Sequence, residues 1–379
     1  MLTSRLPVIE LSGTPRERGR IHGAAMREHI RALIAAHEQF LREYFGADPD
    51  EYLGSFRAYG AFEQALARWT PDLLEEVRGI AEGADLPFET MLQYQLIDEE
   101  WAYGFYHRRP VVLRQKCSAF GMLPQDGQPG YAGQNMDVPR YIDGHQVLLR
   151  IADAQTGAAS YVFTYAGLIG LAGMSDVPLG ITCNTLNQLR ASNDGLPVAF
   201  IVRHVLACRS PQEALGFLRT VPHASGQNYI LSSRDSVHCL ECSAGKVVEF
   251  FGNGAGRRVC HTNHALANDD EQDFQALMAA LPPDEQVHFS NSRQRYASIS
   301  TRLGDLRRFV DLAAVKTALS AHDDPENPVS RTYLDTHGSY IGFTAGSLIY
   351  DYGEPPRLHL ASGPPCSTEY RTFDLKRAQ

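Results

Sequence analysis

Arg114-Gln115-Lys116-Cys117-Ser118-Ala119-Phe120, followed by Gly133-Gln134-Asn135-Met136-Asp137, is the stretch on which the architecture of this chain turns. A cysteine opens a strand-like run far from the start of the sequence. Gln125-Asp126-Gly127-Gln128-Pro129-Gly130 then supplies the residues of a turn. The chain is therefore expected to return as the second arm of a hairpin. Such a hairpin places the Asp137 carboxylate near the start of the first strand, where it would favour a cationic amine. A cysteine on a strand is ordinarily a small buried hydrophobe, so Cys117 gains a chemical reading only from this context.

Upstream of the hairpin the chain reads as helical. Residues 15–41 carry apolar side chains at three- and four-residue spacing with charges between them, and Thr14-Pro15 is a natural helix start. Residues 62–82 form a second helical block, with Gly83 as its expected stop, and residues 87–106 a third. From about residue 111 the character changes to short β-branched and aromatic runs separated by Gly, Pro, Asn and Asp. Strands are expected at 147–152, 160–165, 180–184, 229–232, 237–242, 247–251, 344–350 and 357–361. Helices are expected at 197–206, 211–218 (capped by Ser210), 293–303 and 312–321. Helices first, then many strands with a few helices, predict an α+β layered fold rather than a regular βαβ alternation.

Composition narrows the function classes. The chain has 379 residues, 44% hydrophobic and 21% charged, with a formal net charge of −9. It has ample apolar material for a core without metal or disulfide staples. It has no basic surplus with which to displace counterions from nucleic acid. No run approaches the ~20 apolar residues of a membrane span, and the start does not read as a secretory signal. Seven irregularly spaced cysteines fit reduced thiols better than a disulfide framework. A cytoplasmic location is therefore expected. With no phosphate-binding glycine loop, dinucleotide fingerprint or Gly-x-Ser-x-Gly elbow, no cofactor is expected.

Further blocks join the hairpin: Arg16-Glu17-Arg18-Gly19-Arg20-Ile21-His22-Gly23, Glu76-Val77-Arg78-Gly79-Ile80-Ala81-Glu82-Gly83, His261-Thr262-Asn263-His264 and Gly363-Pro364-Pro365-Cys366. In this order they resemble the isopenicillin-N acyltransferase (acyl-coenzyme A:6-aminopenicillanic acid acyltransferase) family of N-terminal-nucleophile hydrolases. The resemblance spans nearly the whole chain. It implies a four-layer αββα sandwich and a precursor that cuts itself between Lys116 and Cys117. The products would be an α chain, residues 1–116, and a β chain, residues 117–379, which stay associated as one domain.

The same resemblance implies the site residues. Cys117 would be the nucleophile, its freed α-amine the general base, Asp137 the group that holds that amine, and Asn263 the oxyanion donor. The chemistry is coherent, since an α-amine with a pKa of roughly 7.7–8.0 can take a thiol proton near neutral pH. The expected partner is a small-molecule amide, with an acyl-coenzyme A or an amine acceptor allowed. Departures from the family pattern fall at Gln134, where penicillin V acylase-like relatives carry Arg, at Ser175, often Asn, and at Lys116, commonly Gly. No arginine is carried over near residues 340–344.

Two other readings compete. Cys239, Cys242, Cys260 and His264 have the composition of a four-ligand zinc site, which would make the protein a zinc-dependent hydrolase. Strand alternation, however, turns the Cys239 and Cys242 thiols to opposite faces. The other reading is a non-catalytic relative that keeps the fold as a binding protein.

Overall fold

The computed structural model describes residues 6–108, 117–152, 159–271, 273–282, 290–332 and 342–375. Lys116, the residue before the expected cleavage point, lies outside them.

The amino-terminal part contains helices α1 (Pro15–Ala25), α2 (Arg27–Phe40), α3 (Pro49–Tyr59), α4 (Glu63–Trp69), α5 (Pro71–Ala84), α6 (Phe88–Tyr94) and α7 (Ile97–His107). Thr14 caps α1 in a reciprocal capping box with Glu17. The single helix expected over 15–41 is broken at Met26, whose φ of −114° and ψ of 16° leave the helical region. The 62–82 block is likewise two helices, because Pro71 cannot donate the backbone bond needed to continue α4 and instead starts α5. Gly83 is not a stop. It lies inside α5, which ends at Asp85 in the left-handed conformation (φ 56°). The helix α3, capped by Asp48, was not anticipated. Neither was β1 (Val8–Leu11), a strand within a region read as wholly helical.

Gly83 is retained within α5 because the Gly19/Gly23 and Gly79/Gly83 motifs pack against each other. A Cβ on Gly19 would run into the Glu76 carbonyl oxygen, and one on Gly79 into that of Arg16. The backbones of α1 and α5 can approach this closely only where both lack side chains. Charges flanking the seam complete it. Arg18 Nε pairs with Glu76 at 3.2 Å, and Arg203 holds the same buried carboxylate through Nη1 at 2.8 Å and Nη2 at 3.0 Å.

Two sheets form the centre. The remaining strands are β2 (Ser118–Met122), β3 (Tyr131–Pro139), β4 (Gln146–Ala152), β5 (Ala159–Tyr165), β6 (Ala172–Ser175) and β7 (Leu179–Thr185), then β8 (Gln227–Ser233), β9 (Val237–Cys242), β10 (Val247–Glu249), β11 (Arg258–His261), β12 (Gly342–Asp351), β13 (Arg357–Ala361) and β14 (Arg371–Asp374). One sheet runs β1-β4-β5-β6-β7-β8-β9-β10 and the other β11-β2-β3-β12-β13-β14. Strands β6, β11 and β14 were not foreseen, and β10 stops at Glu249 rather than at residue 251.

The sheets face each other. Gly121 of β2 lies against Ile230 and Val237 of the first sheet, and Tyr350 Oη donates to the Ile181 carbonyl at 2.7 Å. Helices α8 (Val198–Ala207) and α9 (Pro211–Thr220) cover the first sheet. After α10 (Phe274–Ala280), helices α11 (Ser290–Ile299) and α12 (Leu312–Leu319) cover the second. A wider π turn, Ser300–Gly304, occupies the end of what was expected to be α11. The result is the expected four-layer αββα sandwich. One apolar core includes Leu33, Val77 and Ile80 from before Cys117 together with Leu148, Val162 and Phe200 from after it. Among the described residues, no helix is long and apolar enough to cross a membrane.

Candidate active site

The hairpin forms with the expected geometry. Gln125 and Gln128 bridge across Asp126-Gly127, and Ser118 pairs with Asn135 in the β2–β3 register. Cys117 therefore sits at the mouth of β2, buried, opposite Met136-Asp137. Its Sγ lies 3.6 Å from Met136 Sδ and donates to the Asp137 carbonyl at 3.8 Å. Burial pushes the thiol up to about 12 and the Asp137 carboxylate adds to this, while the bond to the Asp137 backbone and the Arg295 guanidinium pull the other way. Cys117 is thus a neutral thiol that needs a base to become a thiolate.

Asp137 is held from the neighbouring strand. Thr344 of β12, its register partner, donates through Oγ1 to Asp137 Oδ1 at 2.7 Å. That hydroxyl is itself fixed by the Arg331 backbone N–H at 2.9 Å. Asn135 ties β3 to its helix layer, donating to the Leu319 and Val329 carbonyls at 2.8 Å each. Gln134, on the alternate face, accepts from the Cys183 backbone N–H at 2.8 Å and so bridges the two sheets behind Cys117. Among the described residues, the Ser175 hydroxyl bonds only to the Leu179 carbonyl, at 3.5 Å.

Asn263 follows β11, in a loop that Glu241 fastens. The Glu241 carboxylate accepts from His261 Nε2 at 2.7 Å and from the backbone N–H groups of Leu266, Ala267 and Asn268 at 2.6, 2.9 and 2.6 Å. The Asn263 side chain is fixed at both ends. Its Nδ2 donates to the Thr185 carbonyl at 3.1 Å, and its Oδ1 accepts from Arg295 Nη2 at 3.1 Å. An amide nitrogen carries two hydrogens, so among the described residues one remains for a ligand oxygen.

Arg295 is the site residue that sequence reading missed. It is fully buried, and its Nη1 donates to the Cys117 carbonyl at 2.6 Å and to Ser118 Oγ at 3.0 Å. Asn291 Oδ1 accepts from its Nε at 2.8 Å. One guanidinium thereby references Asn263 to the start of β2. The signal was present, because Arg295 shares a helical stripe with Ile299 and Leu303, both buried. An arginine on an apolar stripe needs buried acceptors.

Two carboxylates from α7 border the same region. Asp98 Oδ1 accepts from Thr185 Oγ1 at 3.1 Å and from Gln227 Nε2 at 3.4 Å. Glu99 Oε1 accepts from the Val198 backbone N–H at 3.2 Å and from Ser225 Oγ at 2.9 Å. Burial raises both, and the neighbouring Asp98 helps to push Glu99 up to about 8.

The alternative zinc set is not gathered. Cys239, Cys242 and Cys260 pack in three different apolar clusters. His264 Nδ1 faces Ser292 Oγ at 2.8 Å. Among the described residues, no group of three or more His, Cys, Asp or Glu could hold a metal ion.

A sequence profile of the family described as acyl-coenzyme A:6-aminopenicillanic acid acyl-transferase matches residues 123–337, more than half of the chain. The matched span begins just after Cys117 and includes Asp137, Asn263 and Arg295. No curated protein sequence matches. Among solved structures, a Caenorhabditis elegans ortholog of N-acylethanolamine-hydrolyzing acid amidase is 16% identical, with TM-score 0.44, covering 69% of this chain and 100% of that one. A conjugated bile acid hydrolase mutant from Clostridium perfringens is 14% identical, with TM-score 0.41, covering 69% and 93%. Penicillin V acylase from Agrobacterium tumefaciens is 16% identical, with TM-score 0.39, covering 68% and 86%.

Proposed function

Because the chain belongs to the acyl-coenzyme A:6-aminopenicillanic acid acyltransferase family, we propose that it is a self-processing cysteine amidohydrolase or acyltransferase acting on a small-molecule amide. The observation that carries this reading is the Arg295 bridge. It ties the backbone of Cys117 to the side-chain amide of Asn263, whose Nδ2 keeps one hydrogen uncommitted among the described residues. A cysteine backbone and an oxyanion donor referenced to one guanidinium supply the fixed spacing that acyl transfer can use.

Processing comes first. Cys117 Sγ attacks the carbonyl carbon of Lys116, and the peptide bond gives way to a thioester as the Cys117 nitrogen leaves protonated. Water then opens the thioester, leaving a carboxylate on Lys116 and a free thiol and α-amine on Cys117. From then on the amine is the base that the buried thiol lacks. It takes the thiol proton, Sγ attacks the substrate carbonyl, and the developing oxyanion is met by Asn263. The ammonium, held by the Asp137 carboxylate that Thr344 orients, returns the proton to the leaving amine. Water or an acceptor amine discharges the resulting thioester. The residues before Cys117 stay in place afterwards, since they share the apolar core.

Acid quenching during turnover of an N-acyl amide tests this directly. A peptide beginning at Cys117 and heavier by the acyl group supports the thioester. Turnover with that peptide persistently unmodified, also when Asn263→Ala slows the discharge, contradicts it.

A further inference from the structure

Asp98 is part-exposed, as are Thr185 and Asn263, whereas Asn184, Leu186, Glu99 and Thr262 around them are buried. The three part-exposed residues are joined by hydrogen bonds through Thr185, whose hydroxyl donates to Asp98 Oδ1 and whose carbonyl accepts from Asn263 Nδ2, each at 3.1 Å. They therefore form one continuous hydrogen-bonded row, with Thr185 between Asp98 and Asn263. Both hydrogen bonds to Asp98 fall on Oδ1, which leaves Oδ2 uncommitted among the described residues. The charge of Asp98 is felt at the Cys117 thiol, which it helps to raise. Burial raises both acids of this adjacent pair, Glu99 up to about 8, and Asp98 is the part-exposed one of the two.

We propose that Asp98 is a specificity-determining residue whose free carboxylate oxygen selects amide substrates bearing a protonated amine a few atoms from the scissile carbonyl. This rests on the reading that the scissile oxygen lies at Asn263. From that point, a substrate with a short aminoalkyl group can reach past Thr185 to Asp98. A carboxylate in the same position meets a like charge at a half-buried side chain and is rejected. The selecting group comes from the part of the chain before Cys117, so that part contributes to recognition as well as to the fold.

The test compares β-alanyl, butanoyl and succinyl p-nitroanilides, which are cationic, neutral and anionic at one position. At neutral pH the processed protein should rank them in that order in kcat/KM. The extremes should differ by about tenfold or more, mainly in KM. Asp98→Asn should bring the β-alanyl to succinyl ratio close to one. An equal or reversed ranking overturns the proposal, and so does an unchanged ratio in Asp98→Asn. Should Asp98→Asn fail to fold, inhibition of the wild-type protein decides instead. Stronger inhibition by butylamine than by butyrate supports the assignment, and the opposite or equality overturns it. Turnover of all three without ranking overturns this proposal alone. Turnover that never acylates Cys117, even when discharge is slowed, overturns the functional reading and this proposal with it.

Discussion

Arg295 Nη2 donates to Asn263 Oδ1 at 3.1 Å while Nη1 of the same side chain reaches the Cys117 carbonyl at 2.6 Å. The planar guanidinium thus sets the spacing between the start of β2 and the loop after β11. Lysine has one point charge where arginine has a rigid fork of donors. Arg295→Lys should therefore keep a buried cation and still lower kcat by about 100-fold, with a smaller change in KM, as measured by steady-state amide turnover. Unchanged kcat would remove the bridge from the account.

Asn263→Ala removes the proposed oxyanion donor without touching the thiol. A single donor of this kind contributes roughly 100- to 1,000-fold to kcat, and a loss of that size is expected in the variant. Because the first cleavage passes through a similar tetrahedral oxyanion, the appearance of the fragment beginning at Cys117 should also slow. Gel analysis after synthesis of the variant reads that rate.

Glu241→Gln probes the fastening of the loop. Burial works to raise the Glu241 carboxyl, but the His261 side chain and the backbone N–H groups outweigh it and hold it below its ordinary value. A carboxyl lowered in the folded state contributes stability that is present above the unfolded pKa. That stability is lost as pH falls through the folded one. The variant should be less stable than wild type by about 3 kcal/mol at neutral pH. The gap in Tm should narrow as pH drops below about 4.3, the ordinary Glu value. A gap constant down to strongly acidic pH would contradict the ionised anchor.

Gly79→Ala tests the close helix seam. The new Cβ would meet the Arg16 carbonyl oxygen, backbone that cannot move without shifting α1. A cost of about 3 kcal/mol is expected from overpacking, seen as a lower midpoint in urea unfolding. Gly54→Ala, on the open side of α3 with only Arg57 Nη2 within reach, at 3.9 Å, should cost nothing or stabilise.

The layered fold was legible because its signals are local. The hairpin turn, the alternating runs after residue 111 and the caps at Thr14 and Ser210 all act within a few residues. Elements fixed by distant partners were not legible. Strand β1 is a strand because β4 offers it a parallel edge, and the four residues Val8–Leu11 carry no pattern long enough to show it. Gly83 looked like a helix stop because glycine usually ends helices, yet here its missing side chain serves the α1–α5 contact. The hairpin placed Cys117 beside Asp137 from sequence alone. Arg295 escaped because its partners, Cys117 and Asn263, lie far away along the chain. Asp98 escaped for the same reason, since Thr185 and Gln227 reach it only in three dimensions.

The central claim is that Cys117 becomes an amino terminus. Its most direct test is the intact mass of the purified wild-type protein beside that of Cys117→Ala. The account predicts two tightly associated fragments in the wild type, the second starting at Cys117, and a single uncut 42.0 kDa chain without amide-cleaving activity in the variant. A wild-type protein that turns over amides as one intact chain, or a Cys117→Ala chain cut at the same place, would contradict it.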